Sequence, residues 1–242
     1  MENRVAIVTG GAKRVGRQIV EALLADGWHV FAHCHNADDD VPASAGKVAA
    51  DLSDPAIGRI LFDAAAATGP VGLLVNNAAK FGDDRLGAAD ADEFDSHMAV
   101  NARAPMLLID ELARRHGSGE ALVVNILDAK LAAPNPDFLS YTLSKYALAG
   151  LTEIAARALA GKGIRVNAVA PALMLPSGEQ DEANFEKVHR HNPLKVGVEV
   201  ADVVAAIRYL IDSRVMTGQT LALDGGQRFM ALDRDVQFLE TK

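Results

Sequence analysis

A single cysteine, Cys34, stands in a chain of 242 residues. This excludes an internal disulfide framework and a cysteine-built zinc site, and it accords with a reducing compartment. The seven histidines show no ligand spacing on an expected helix, so no metal is expected. Basic residues form no cluster in a chain of formal net charge −8, which argues against holding a phosphate backbone; nucleic acid is not an expected partner. No uninterrupted apolar run reaches the roughly 18 residues of a membrane span. The opening, MENRVAIVTGG, lacks a basic region, a long apolar stretch and a small-residue cleavage site. A soluble cytoplasmic protein without membrane contact is the expectation. Internal repeats, low-complexity tracts and breaks in composition are also missing, so residues 1–242 are read as one domain with a substantial core.

What is present is alternation. Short apolar runs that read as buried strands (RVAIVT, HVFAHC, KVAA, GLLVN, ALVVNI, IRVNAVA and TLALD) are separated by helical patterns near Val15–Ala25, Pro55–Ala67, Ala91–His116, Ser140–Ala160 and Glu199–Ile211. The expected fold class is therefore α/β, a Rossmann-type doubly wound parallel sheet of about seven strands with helices on both faces. Residues 171–198 hold three of the nine prolines and little periodicity, which suits a loop that covers a substrate.

The first strand runs through VAIVTGGAKRVG into a helix, a context in which backbone N–H groups and the helix dipole hold a pyrophosphate. Gly10, Gly11 and Gly16 permit close approach, although Arg14 stands where a middle glycine is expected. The second strand ends in FAHCHN, with no acid to grip a ribose 2′-hydroxyl. Arg14, His35 and Asn36 could surround a 2′-phosphate instead; His35 and Asn36 also suit a solvated turn, and Asp38–Asp40 lie close by. Asp51, past the third strand, either accepts from an adenine amino group or begins a turn or caps the next helix. Tyr141 and Lys145 share one face of a helix with Ser140 as its expected N-cap, and a nearby ammonium together with a nicotinamide cation is expected to lower the tyrosine pKa.

TGGAKRVG, NNAA at Asn76–Ala79, Asn101, YTLSK, RVNAVAPA and TGQTLALDGG fall in the order and spacing of the short-chain dehydrogenase/reductases, which the chain resembles over nearly its whole length. The resemblance implies hydride transfer from a nicotinamide cofactor and a catalytic set of Asn101, Asp128, Tyr141 and Lys145. By it Tyr141 donates a proton, Lys145 holds the nicotinamide ribose and Asn101 anchors a water to Lys145. Asn101 also reads as a plain polar helix residue, and Asn76 as a support of the sheet. Cofactor contacts carried over are Gly10, Arg14, Val15, Gly16, His35, Asn36, Asp51, Leu52, Asn77, Ala78, Tyr141, Lys145 and Pro171.

Three departures from the commonest pattern coincide: the loop reads TGxxxRxG, Asp128 replaces a serine, and Phe81 follows NNAAK. Together they resemble the pteridine reductases and the related dihydrofolate and dihydromonapterin reductases of bacteria. That likeness implies NADPH, a pterin or dihydropterin substrate and substrate contacts at Arg14, Phe81, Asp128, Tyr141 and Leu173. A flat heterocycle suits an aromatic face, and reduction of its C=N bond needs a proton at nitrogen that a carboxylate can relay. The alternatives are a carbonyl or 3-oxoacyl thioester reductase, in which Asp128 is drift and Phe81 a rim or core residue, and a non-catalytic dinucleotide-binding sensor. PALM at Pro171–Met174 departs from the Pro-Gly of many members. A small-molecule substrate and a homotetramer, with the Ala-rich long helices packed between subunits, complete the expectation.

Overall fold

The computed structural model describes residues 4–176, 180 and 182–239. Seven strands, β1 (Val5–Val8), β2 (His29–Cys34), β3 (Gly46–Ala49), β4 (Val71–Asn76), β5 (Ala121–Ile126), β6 (Ile164–Pro171) and β7 (Thr220–Leu223), form one sheet in the order β3-β2-β1-β4-β5-β6-β7. Every neighbouring pair is parallel. A central strand of such a sheet is covered on both faces and must be apolar on both. Accordingly β4, β5 and β6 are buried at every position, whereas the edge strands β3 and β7 alternate exposed with half-buried residues.

Side chains alternate between two cores, as a period of two requires. Val5, Ile7, Leu74 and Val123 point to the face covered by α2 (Ile57–Ala65), α4 (Ala104–Arg115) and α5 (Leu139–Leu159). Ala6, Val8, Leu73, Val75, Leu122 and Val124 point to the face covered by α1 (Arg14–Ala25) and α7 (Val200–Asp212). The strand order reverses direction between β1 and β4, and there the loops diverge to leave a crevice at the carboxyl ends of the strands. The expected Rossmann-type, doubly wound α/β sheet is the one observed.

Three local expectations change. The pattern over Ala91–His116 is not one helix: α3 (Ala91–Met98) passes through a π-helical turn, Ala99–Arg103, before α4 begins. Asn101 sits in that turn, where an extra residue per turn re-aims a side chain. Ser140 does not cap α5. The capping position belongs to Phe138, in the left-handed region at φ 55°, and Asp84 caps the helix from another loop. Its carboxylate accepts from the Ser140 N–H at 2.9 Å and from the Ser140 hydroxyl. Within 171–198 a short helix, α6 (Glu182–Val188), forms. Periodicity was too brief there to announce it.

A buried histidine, unnoticed in the sequence, joins three parts of the crevice. His33, on β2, accepts the Gly10 N–H at Nδ1 (3.2 Å), so Nε2 carries the proton and donates to the Ala50 carbonyl (3.0 Å). Burial depresses its pKa below the ordinary 6.5, against the opposing pull of the Ala50 carbonyl. A base with a depressed folded pKa contributes stability that is present above 6.5 and is lost as pH falls, because the unfolded chain then binds more protons. Protonation at Nδ1 would also set two N–H groups against each other at Gly10. Thermal melts of the parent and of His33→Gln should therefore converge as pH is lowered from 7.5 to 5.5; a constant difference across that range would show that His33 does not titrate as described.

Candidate active site

The crevice is floored by strand ends and by the glycine loop. Gly10 takes φ +67°, and a Cβ on Gly16 would collide with the Gly10 carbonyl, so α1 starts closer to β1 than any other residue would permit. Thr9 ties this loop to β4: its hydroxyl accepts the N–H groups of Asn77 (3.0 Å) and Ala78 (3.1 Å), and Asn77 Nδ2 donates to the Thr9 carbonyl (2.9 Å). No side chain caps the start of α1 and no acid stands in its first turn. Its N–H groups and the positive dipole end are left for an anion. Nearby, Asp39 pairs with Lys13 (2.5 Å) and Asp40 with Arg17 (3.2 Å), so basic groups at the loop offset two of the three acids of the DDD run.

Beyond the loop lies a cavity of about 600 Å³, lined among others by Arg14, Val15, Asn77, Phe81, Asp128, Tyr141, Lys145, Pro171 and Leu173. Gly10, Gly16, His35, Asn36, Asp51, Leu52 and Ala78 do not line it; they belong to the glycine loop and to the ends of β2, β3 and β4. His35 and Asn36 are exposed, and Asp51 closes a turn by accepting the Ser53 N–H at 2.8 Å. Arg14 reaches across the mouth and donates to the Pro176 carbonyl at 2.8 Å, linking the phosphate loop to the segment after β6.

The chemical groups converge at the ends of β5 and α5. Tyr141 donates its hydroxyl to Asp128 Oδ2 at 3.0 Å, while Asp128 Oδ1 accepts the Lys130 N–H at 2.8 Å. Lys145, buried one turn on, donates to the Ile126 carbonyl at 2.7 Å, and its Nζ lies 5.6 Å from the Tyr141 ring centre. Among the protein's own groups the balance at Tyr141 runs upward. Burial, followed by the charge and hydrogen bond of Asp128, holds Tyr141 well above its ordinary range, and Asp235 adds to the effect. Burial brings Lys145 down to about 8, opposed by the Asp128 charge. Tyr141 is thus a protonated phenol aimed at a carboxylate.

Asn101 does not touch Lys145 directly. Its Oδ1 accepts the Lys80 N–H (2.7 Å), and its Nδ2 donates to the Lys80 carbonyl (2.9 Å) and to Ser144 Oγ (2.9 Å). It therefore fixes the backbone immediately before Phe81, and Asp84 fixes the backbone soon after. Phe81 is held as a wall, edge-on to Tyr141 with ring centres 4.8 Å apart and 4.5 Å from Phe138. Asn76 donates to Asn125 (2.8 Å), which donates to Thr152 (2.9 Å), a buried chain supporting the sheet behind the site. The sequence did not point to Asp84, Asp137 or Asp235, since none falls in a periodic pattern or beside a recognisable neighbour; Thr9 stood in the TGGAKRVG loop and His33 in the second strand without an assigned role.

Among the described residues no helix is long and apolar enough to cross a membrane. A family profile described as enoyl-(acyl carrier protein) reductase matches residues 10–228. Pteridine reductase 1 of Leishmania tarentolae is 33% identical, covering 92% of this chain and 95% of that protein. Dihydromonapterin reductase of Enterobacter sp. (strain 638) is 27% identical over 93% of this chain and 96% of that one. The crystal structure of the FolM alternative dihydrofolate reductase 1 from Brucella canis, complexed with NADP, superposes with a TM-score of 0.88 at 39% identity, covering 94% of each chain. The motif order, the sheet topology and these likenesses agree, and the chain belongs to the short-chain dehydrogenase/reductase family of oxidoreductases.

Proposed function

We propose that the protein is an NADPH-dependent reductase of a pterin or dihydropterin. The observation that carries this reading is the hydrogen bond from Tyr141 to Asp128 beside the Phe81 wall. A serine at position 128 would polarise a ketone oxygen; a carboxylate bonded to a phenol can take up and pass on a proton to a ring nitrogen. Support comes from the relatives whose names specify pteridine, dihydromonapterin and dihydrofolate reduction.

The residues fit the cofactor. The uncapped start of α1 and the collision-limited approach at Gly16 leave a cradle for a pyrophosphate. Arg14, with His35 and Asn36 at the acid-free end of β2, suits a 2′-phosphate. The chemistry NADPH would supply when bound there is a hydride for the carbon of the C=N bond. Lys145 and Tyr141 would hold the nicotinamide ribose, Phe81 and Leu173 would flank the flat substrate, and Tyr141 with Asp128 would deliver one proton to nitrogen. That proton is replaced from solvent. Asn101 acts by holding the Lys80–Phe81 backbone. A cytoplasmic homotetramer completes the proposal, with Met98, Ala102, Met106, Ala147 and Leu151 offering an apolar groove between subunits.

Absorbance at 340 nm over a panel of dihydropterins, dihydrofolate, simple ketones and a 3-oxoacyl thioester tests the reading. Turnover of a dihydropterin is expected and should fall about 100-fold or more in Tyr141→Phe, the range of general acid catalysis, with NADPH binding weakened far less because Lys145 and the glycine loop remain. Reduction of ketones alone, or an undiminished Tyr141→Phe, would contradict it. In a separate titration Arg14→Ala should weaken NADPH roughly ten-fold, the loss of a charged hydrogen bond, and leave NADH nearly unchanged; equal losses for both would remove Arg14 from the 2′-phosphate site.

A further inference from the structure

The family profile ends at residue 228, yet the chain continues and packs back over the cavity. Leu232, Asp235, Val236 and Gln237 all line it. This segment is fastened to the residues that start α5. Arg234 makes a double ion pair with Asp137 (2.8 and 2.9 Å), the Asp235 N–H donates to the same carboxylate (2.8 Å), and Phe238 stacks on Phe138 with ring centres 5.5 Å apart. Asp235 is consequently held at a fixed place in the pocket.

Its carboxylate is held only by long contacts. Oδ1 accepts the Gln237 backbone N–H at 3.3 Å, the Gln237 side chain also bonds to it, and Oδ2 lies 3.6 Å from Lys130 Nζ, which donates to the Asp137 carbonyl as well. A carboxylate offers about four acceptor positions. The side chain is only 17% exposed, so water reaches it poorly and a ligand donor would gain by filling the remainder. The site of chemistry is close, for Asp128 and Asp235 are the two carboxylates whose fields act on Tyr141.

In a 7,8-dihydropterin the carbon of the reduced C=N bond carries the side chain. The first side-chain atoms must then lie within a few bonds of the reacting centre, while the aminopyrimidine edge lies at the far end of the fused rings. Asp128 is committed to the Lys130 N–H at 2.8 Å and to Tyr141 at 3.0 Å. Asp235, whose contacts are longer at 3.3 and 3.6 Å, is the neighbouring acceptor able to turn to a ligand.

Building on the pterin reading above, we propose that Asp235 is a specificity-determining residue that accepts hydrogen bonds from hydroxyl groups on the side chain of a dihydropterin, selecting hydroxylated, unconjugated pterins. The segment beyond the family profile would thus set substrate choice without joining the chemistry.

Steady-state kinetics with NADPH on three substrates tests this: a dihydropterin with a trihydroxypropyl side chain, one with a methyl group at the same carbon, and dihydrofolate. Asp235→Ala should raise KM for the first about ten-fold and leave KM for the methyl compound within two-fold, while any change in kcat, through the Asp235 charge felt at Tyr141, should be the same with both. Asp235→Glu should restore part of the lost affinity. A KM rise shared by the methyl compound would mean that the segment had merely lost its packing, and would overturn the inference, as would no change in KM with any substrate. A parent that reduces none of the three would overturn the pterin reading and this inference together, whereas normal turnover by the parent with a failed Asp235→Ala contrast would remove this inference alone.

Discussion

The hydrogen bond between Tyr141 and Asp128 depends on two elements distant in the chain meeting at one point. Asp128 follows β5, whose six residues are fully buried between β4 and β6, and Tyr141 lies in the first turn of α5. Parallel strands end on one edge of the sheet, and the crossover that follows β5 has to return across that edge. The side chains are therefore brought together by topology before either contributes energy. Once together in a buried setting, the phenol keeps its proton and the carboxylate keeps a donor, which is the resting state a proton-delivering pair needs.

Much of the surrounding structure serves to hold that pair and its aromatic wall. Asp84 satisfies the start of α5 from the loop that carries Phe81, and Asn101 grips Lys80 on the other side of the ring. A π-helical turn gives Asn101 its aim. Farther out, Asp137 fastens the C-terminal segment with Arg234 across the mouth. Tethers on several sides of one cavity restrict the motion of its walls, which leaves a preformed slot.

The doubly wound parallel sheet and the Tyr141–Lys145 pair were legible in the sequence because they depend on local pattern, apolar runs and helical spacing, while Asp128 was legible only through the family resemblance. Other features depend on distant partners. Ser140 looked like a cap because it is a serine before an apolar helix, but the true acceptor, Asp84, lies 56 positions away. The break at Ala99–Arg103 could not be seen, since the apolar pattern on its two sides is continuous. His33 was passed over in favour of His35 and Asn36 because both ring partners, Gly10 and Ala50, come from other strands' loops. Sequence spacing revealed Lys145 as a neighbour of Tyr141 and did not reveal how heavily burial and Asp128 weigh on the same hydroxyl.

The central claim is that Asp128 turns a ketone-reducing arrangement into one that protonates nitrogen. Asp128→Ser tests it most directly, since serine is the residue of ordinary carbonyl reductases and leaves Tyr141, Lys145 and the cofactor loop in place. The ratio of kcat/KM for a dihydropterin to kcat/KM for a simple ketone should be measured in the parent and in this variant. The account predicts that the ratio collapses by about 100-fold or more, the scale of a lost general acid, with ketone reduction kept or raised. An unchanged ratio would contradict it and would leave Asp128 a positioning residue for Tyr141 in a carbonyl reductase.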